Sequence, residues 1–174
     1  MKFFKSYTGA MVVLAVVVLL SVLLGSHRSL TAERSKVEEQ FAPIAGDLED
    51  CLGITANLLS VAGRYLPEEE LAGLEESRTA LAAWERGAGG YEAYRELLTR
   101  AEEVFLRLED CALSEKDKDY VKGFRTDLAA EADTIARDGY NAAAEDFNNR
   151  VLGAFPANIL GRLTFVEPAE TFGG

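Results

Sequence analysis

The residue types that most often carry out catalysis are sparse in this chain of 174 residues. Its only histidine is His27, which follows closely on an uncharged apolar stretch at residues 7–24. Nucleophilic catalysis by serine or cysteine needs a base within hydrogen-bond reach of the nucleophile, and histidine is the usual base. A histidine beside such a stretch lies far from any pocket of a folded domain. We therefore expect no catalytic triad and no enzymatic activity.

Metal ligands are equally few. Tetrahedral zinc needs several cysteine or histidine ligands, and the chain offers only Cys51, Cys111 and His27, which are scattered. Helical bundles can hold two iron ions through Glu-x-x-His pairs, for which one histidine is not enough. The 29 acidic residues outnumber the 18 basic ones, and we interpret them as a solvated surface.

The segment SEKDKDYVKGF, residues 114–124, places Asp117 and Asp119 in the alternating pattern of a calcium loop. The next alternating position is Val121 and the twelfth is Leu128, where a calcium loop needs a glutamate. We interpret the segment as the charged start of a helix with Ser114 as its N-cap. No metal and no cofactor are expected.

The two cysteines lie in matching LEDC tetrapeptides, residues 48–51 and 108–111. In an antiparallel bundle these positions fall about 20 Å apart along the axis, which is too far for a disulfide. We predict that Cys51 and Cys111 are free thiols, buried as small apolar residues.

An aromatic residue followed by asparagine occurs twice, at Tyr140–Asn141 and at Phe147–Asn148. A separation of seven residues is about two helical turns, so both pairs share one helical face. Asparagine is a poor helix former because its amide competes for backbone hydrogen bonds, which indicates a tertiary role for this stripe. We expect it to pack against the first long helix, with its amides bonded to a neighbouring backbone. The alternative is that it lines a groove or an interface between copies.

The elements that position these residues are almost all helical, since apolar residues recur at spacings of three and four. Short connections imply antiparallel neighbours, so the predicted fold is all-α: an N-terminal transmembrane helix followed by an antiparallel up-and-down four-helix bundle. The expected helices cover residues 30–65 with a kink at Pro43, then 67–86, 91–112 and 114–155. The expected division of the chain is residues 1–29 as tail and anchor, 30–156 as bundle, and 157–174 as an apolar segment and a short, mobile tail.

These helices differ in length. At 1.5 Å per residue the first and fourth would be about 55 to 60 Å long, and the second and third only about 30 to 35 Å. The shorter pair would leave the membrane-proximal half of the longer pair uncovered, where Tyr140 and Phe147 lie. The same topology would return an apolar set to the bilayer surface, namely Phe155, Ile159, Leu160, Leu163 and Phe165.

Residues 7–24 are long and apolar enough for a membrane-spanning helix near the short end of the usual range. A cleaved signal peptide is the rival interpretation, but Leu23 stands where the cleavage motif needs a small residue, and no cysteine follows for a lipoprotein. We expect an uncleaved single-pass anchor with the lipid bilayer as its partner. The net charge of −11 argues against nucleic acid and against electrostatic adhesion to anionic lipid.

Positive residues flank the anchor almost equally, with Lys2 and Lys5 before it and Arg28, Arg34 and Lys36 after it. The charge count therefore leaves the orientation open. Of the two orientations we adopt a cytoplasmic N-terminus, with the bundle outside.

The C-terminal third, IARDGYNAAAEDFNNRVLGAFPANILGRLTFVEPAETF at residues 135–172, resembles the LemA family. It has Ala-Arg before Tyr-Asn, a second aromatic-Asn pair, then Phe-Pro, a small residue, Asn, two aliphatic residues, and a closing Phe-x-x-Pro and aromatic residue. The upstream YVKGFRTDLAAEADTI is similar to that family's last long helix. The residues that carry the resemblance, and that we predict as the packing or interaction set, are Arg137, Tyr140, Asn141, Phe147, Asn148, Phe155, Pro156 and Asn158.

The resemblance implies a bacterial, membrane-anchored helical bundle without enzymatic activity. It also implies a short N-terminus outside the cell, opposite to the orientation adopted above. The first long helix departs from the family pattern. Family members usually have an arginine pair followed by a stretch like Asp-Leu-Ile-Pro-Asn-Leu, whereas this chain has APIAGDLEDCLG there. We do not carry that surface of the family over to this chain.

These observations predict a non-enzymatic, single-pass protein of the bacterial cell membrane whose bundle is an envelope scaffold or protein-interaction module. Its partners would be the bilayer and an unidentified protein, with a homo-oligomer as a further option. The alternative is a membrane-shaping or membrane-organising oligomer that uses the membrane-proximal half of the bundle and inserts residues 159–166. A hydrolase or metal enzyme is the third hypothesis, which the missing bases and ligands disfavour.

Overall fold

The computed structural model describes residues 7–85 and 89–173, and the regular elements within them are all helical. The all-α class is therefore confirmed. Lys2, Lys5 and Gly87 lie outside the described residues. The elements are α1 (Tyr7–Glu39), α2 (Ala42–Ala62), α3 (Glu68–Ala82), α4 (Gly90–Glu109), α5 (Glu115–Arg137), α6 (Tyr140–Asp146), a π-helical segment (Phe147–Leu152) and α7 (Ala157–Leu163).

The chain divides into two compact units. Unit 1 comprises Met1–Gln40 and Tyr140–Thr171, and unit 2 comprises Phe41–Gly139 and Phe172–Gly174. These boundaries differ from the expected division at residues 29/30 and 156/157.

Unit 1 is organised on α1. The apolar side chains of residues 11–22 and Leu24 are exposed for the most part, and this helix is long and apolar enough to cross a membrane. Further along the same helix, Leu30 and Val37 are buried. Around them pack α6, the π-helical segment and α7. One helix thus has an uncovered apolar part and a part that belongs to a packed core.

The interruption predicted at Pro43 is present, but the prediction of a single helix over residues 30–65 is wrong, because α1 ends at Glu39 and α2 begins at Ala42. Pro43 lies in the first turn of α2, where its missing N–H leaves no bond unmade. Within a continuous helix the same proline would remove the hydrogen bond to the carbonyl of Glu39, and its ring would clash with that carbonyl.

The prediction of one helix over residues 114–155 is also wrong. Helix α5 ends at Arg137, and Asp138 has an extended backbone with φ −61° and ψ 145°. Gly139 follows. Glycine weakens a helix through backbone entropy, and aspartate does so because its side chain competes for backbone bonds. Tyr140 therefore begins a new helix, α6, instead of lying inside a long one.

Unit 2 packs α2 against α3 and α5, and α3 against α4. Ser114 caps α5 as predicted, because its Oγ accepts the N–H of Asp117 at 3.1 Å. Cys51 and Cys111 are free thiols, the first buried and the second half-buried. The largest fully buried side chains include Phe105, Leu58, Leu74, Leu97 and Leu108.

Candidate functional site

One of the predicted site residues belongs to a different unit from the others. Arg137 ends α5 in unit 2, where it is exposed, pairs with the Asp133 carboxylate and donates from Nε to the Asp133 carbonyl at 3.2 Å. The seven others belong to unit 1. Asn141 is half-buried on α6.

Tyr140 and Phe147 share a buried helical face, as predicted from their spacing. Tyr140 is 8% exposed and Phe147 is 2% exposed, and Ala144 between them is also buried. The stripe packs towards α1, which confirms that expectation. The helix lengths predicted that Tyr140 and Phe147 lie in an uncovered part of the bundle. That prediction is wrong, because both residues are buried within unit 1, where their helical segments pack on α1.

Asn148 binds the backbone of one residue with both ends of its amide. Its Nδ2 donates to the carbonyl oxygen of Ala169 at 2.8 Å, and its Oδ1 accepts the N–H of Ala169 at 2.7 Å. An amide side chain offers a donor and an acceptor side by side, which matches the two groups of one extended residue. The expected bond from the stripe to a neighbouring backbone is confirmed for Asn148.

Tyr140 holds the adjoining residue of the same segment. Its hydroxyl donates to the carbonyl oxygen of Glu170 at 2.7 Å. Ala169 is buried beside it. The prediction of a mobile C-terminal tail is therefore wrong, because Tyr140 and Asn148 together make three hydrogen bonds to residues 169–170. We call Tyr140, Asn148, Ala169 and Glu170 the C-terminal clamp.

Phe172, two residues beyond the clamp, closes the motif that carries the resemblance but is not among the predicted site residues. It belongs to unit 2, where its ring centroid lies 5.6 Å from that of Phe41, 5.4 Å from Tyr91 and 6.0 Å from Tyr94. The signal was present in the sequence, because EPAETF at residues 167–172 combines a small residue and an aromatic residue. So short a segment has no helical period, which is why the sequence predicts a tail there.

The other predicted site residues lie on the surface of unit 1. Phe155, Pro156 and Asn158 are exposed, and the Phe155–Pro156 peptide bond is cis. The Asn158 N–H donates to the Ala154 carbonyl at 2.8 Å. Phe155 and Pro156 precede α7 and Asn158 lies in its first turn, and the exposed side of this helix also carries the apolar residues Ile159 and Leu163.

Asp117, weighed above as a calcium ligand, is instead bonded within unit 2. Its carboxylate accepts from the Tyr65 hydroxyl at 2.5 Å, the Ser114 hydroxyl at 2.9 Å and Arg64 Nη1 at 2.9 Å. These donors, the Tyr65 hydroxyl first, hold the pKa of Asp117 below its ordinary value of 3.8. Across the described parts of the chain, no group of three or more His, Cys, Asp and Glu is placed to hold a metal ion.

Carboxylates on α2 and α5 lie close enough to influence one another. Burial, and then the charges of Asp50 and Asp138, raise the pKa of Asp47. Burial, and then Asp47 and Asp50, raise the pKa of Glu131. Burial, followed by these neighbouring charges, raises the pKa of Cys51 to about 12. A thiol with such a pKa stays protonated at neutral pH and is a poor nucleophile.

An apolar groove of about 640 Å³ lies between α4 and α5 of unit 2. Phe105, Leu108 and Val121 line it, and Arg125 lies among the lining residues and pairs with Glu109 at 2.7 Å. Its described lining contains neither histidine nor serine. The groove therefore offers a contact surface without a base and nucleophile pair.

Comparison with known proteins adds no assignment. No protein-family model, curated protein or solved structure matches the chain. The functional argument therefore rests on the residues and contacts described above.

Proposed function

We propose that this chain is a non-enzymatic, single-pass membrane protein of LemA-like type, which presents its helical units as a scaffold or protein-interaction module at the bacterial cell envelope. The observation that carries the proposal is α1. Its first part exposes an unbroken apolar surface, and its second part supplies Leu30 and Val37 to a buried core. Apolar surfaces of this extent on monomers mark contact with a membrane or a partner.

We extend the proposal to the arrangement of unit 2. Helices α2 to α5 would form an antiparallel four-helix bundle, because the connections between them, at residues 63–67, 83–89 and 110–114, are short. The bundle would then span residues 42–137, a shorter range than the 30–156 expected from the sequence. The C-terminal clamp supports the LemA-like assignment, since Tyr140 and Asn148 belong to the motif that carries the resemblance.

The membrane part of the proposal is tested by extraction of membranes from cells that express the full chain. Alkaline carbonate releases peripheral proteins and leaves spanning proteins in the pellet, so we expect the chain in the pellet. A matched control replaces Leu14 and Val17 with arginine, which breaks the apolar surface at the centre of the span and should move the chain to the supernatant. Release of the unaltered chain would refute a membrane anchor.

The orientation is tested with a membrane-impermeant maleimide on intact cells. Lys118 is changed to cysteine because its side chain is exposed on α5, and Cys51 and Cys111 are changed to alanine so that only the new thiol reacts. Labelling of intact cells is expected for units outside the cell and would direct the search to envelope partners. Labelling only after lysis would place them in the cytoplasm, in agreement with the orientation that the family resemblance implies.

A membrane-organising oligomer is the second candidate, and the exposed apolar surface of α7 is what favours it. Cross-linking of the full chain in native membranes would reveal it as a ladder of multimers. A single monomer band at all cross-linker concentrations would exclude self-association.

A further inference from the structure

We propose that α7 is a second membrane contact of this protein, with its apolar outer face inserted at the boundary between the headgroups and the acyl chains of the leaflet that α1 leaves. This inference rests on the proposed function, in which α1 spans the bilayer. It adds that unit 1 lies on the membrane through a defined surface. We call that surface the α7 face and define it as Phe155, Ile159, Leu163 and Phe165.

The α7 face is unusually exposed for apolar side chains of this size. Phe155 is 80% exposed, Ile159 52%, Leu163 59% and Phe165 89%. Ile159 and Leu163 are four residues apart and lie on one side of α7. Phe155 precedes this helix by two residues and Phe165 follows it by two. Exposed large apolar groups that form one patch mark a lipid or protein contact.

On the side opposite to the α7 face, α7 packs against α1. Gly161 is buried, and a Cβ added there would lie 3.7 Å from Leu30 Cδ1 and 2.5 Å from Leu152 Cδ1. Glycine therefore permits close approach of α7 to Leu152 of the π-helical segment, while Leu30 of α1 lies at ordinary contact distance. Leu30 follows Leu24, the last exposed apolar residue of the span, by about 9 Å of helix.

That distance places α7 at the level of the headgroups. The polar layer outside the hydrocarbon core is about 5 to 8 Å thick on each side, and interfacial helices bury their apolar faces by about 5 to 10 Å. Arg28 on α1 and Arg162 on α7 are both exposed in this zone, where lysine and arginine commonly flank inserted apolar groups. Helix α7 thus packs on α1 near Leu30, which follows the exposed apolar part of α1.

The end of α7 carries a strained residue whose side chain makes little contact with the protein. Phe165 has φ 58°, a left-handed conformation that glycine normally adopts at a helix end, and the Val166 N–H closes the turn on the Gly161 carbonyl at 3.0 Å. Strain of this kind persists where function or surrounding structure maintains it. Packing within the protein does not explain why a phenylalanine ring occupies this position. Insertion of the ring into lipid would explain it.

The C-terminal clamp holds the chain beyond α7. Asn148 precedes α7 and Ala169 follows it, and the amide of Asn148 joins the two segments. The segments before and after α7 are therefore hydrogen-bonded to each other. As a result, the α7 face is preformed and does not have to fold on the membrane.

The test uses the full chain, with Cys51 and Cys111 changed to alanine, in vesicles of phosphatidylcholine containing one fifth phosphatidylglycerol. Single cysteines replace Leu163 on the α7 face, Val16 in the span, or Leu106, an exposed leucine of unit 2 that is 51% exposed and serves as the matched control. Each is labelled with an environment-sensitive fluorophore. Quenching is then measured with lipids that carry a nitroxide at a shallow or a deep position of the acyl chain.

We expect the label at residue 163 to emit at shorter wavelength than the label at residue 106 and to be quenched mainly by the shallow nitroxide. The label at residue 16 should be quenched mainly by the deep one. A residue 163 label that behaves like the residue 106 label would overturn the inference while leaving the anchor intact. Loss of quenching at residue 16 would refute the proposed function itself.

A second measurement separates lipid from a second copy as the occupant of the α7 face. The residue 163 cysteine is treated with a thiol cross-linker in the same vesicles. A covalent dimer with no nitroxide quenching would overturn the inference in favour of an interface between copies. Quenching without dimer supports the lipid contact.

Discussion

The side-chain amide of Asn148 donates one hydrogen bond to the backbone of Ala169 and accepts another from it, as a peptide group would. A side chain without both a donor and an acceptor cannot replace it. Asn148→Ala leaves the buried N–H and C=O of Ala169 without these partners, so we expect the free energy of unfolding to fall by about 1 to 3 kcal/mol. Urea denaturation of the detergent-solubilised chain measures this. Asn149→Ala is the matched control, because the neighbouring asparagine is exposed. Equal effects of the two substitutions would show that the clamp does not stabilise unit 1.

Asp117 makes the stability of unit 2 depend on pH, with a loss of stability in acid. Its pKa is lowered in the folded state, so its ionised form stabilises the fold above the ordinary value of 3.8, and this contribution is lost as the pH falls through the lowered folded pKa. We expect Asp117→Asn to lower the Tm at pH 7 and to cost progressively less below pH 4. Asp119→Asn is the control, since Asp119 is exposed on the same helix turn. A pH-independent difference between the wild type and Asp117→Asn would contradict this account.

At the scale of elements, the carboxylates between α2 and α5 have the opposite effect on stability from Asp117, because their ionised forms destabilise the fold. Glu131 has a raised folded pKa, so its charged form costs stability as the pH rises from its ordinary value of 4.5 through the folded value. Glu131→Gln should therefore raise the Tm at pH 7, with little effect at pH 4. Thermal unfolding followed by circular dichroism measures both values. The exposed Glu49→Gln on α2 is expected to change neither, and a stabilisation equal to that of Glu131→Gln would point to net charge alone.

The end of α7 offers a separate test of backbone strain. Phe165→Gly removes both the ring and the left-handed strain, whereas Phe165→Ala removes only the ring. We expect the glycine variant to be more stable than the alanine variant by about 1 kcal/mol, since left-handed backbone costs about 1 to 2 kcal/mol in residues with a Cβ. Urea denaturation in detergent gives the difference. Equal stabilities would mean that the turn relaxes when the ring is absent.

Element types were predictable from the sequence, but element ends were not always so. The period of the apolar residues gives helices, and Ser114 caps α5 where its side chain predicts a helix start. The breaks at residues 40–41 and 138–139 depend on a competition between continuing a strained helix and starting another. Pro43 and Gly139 indicate that a helix is weak at these points, but they do not determine which outcome has the lower free energy.

At the scale of the whole molecule, the missing information concerned contacts between distant residues. The stripe at Tyr140 and Asn148 predicted a bonded backbone but not which backbone, because Ala169 has no side-chain pattern that indicates its partner. Phe172 joins aromatic residues more than 70 positions earlier in the chain, a pairing that a local period cannot contain. The C-terminal apolar set was predictable in part, because Phe155, Ile159, Leu163 and Phe165 are exposed and Leu160 is half-buried.

The division into units has a consequence for the order of folding. Unit 1 joins two stretches of chain that are separated by Phe41–Gly139, and closing a loop of this length costs entropy. Folding of unit 2 shortens the loop, because Asp47 near its start and Asp138 at its end come close enough for their charges to interact. Unit 2 would thus fold first, and α6 would then reach α1 over a shorter effective loop. Protection of unit 1 amides should consequently lag behind that of unit 2 during refolding.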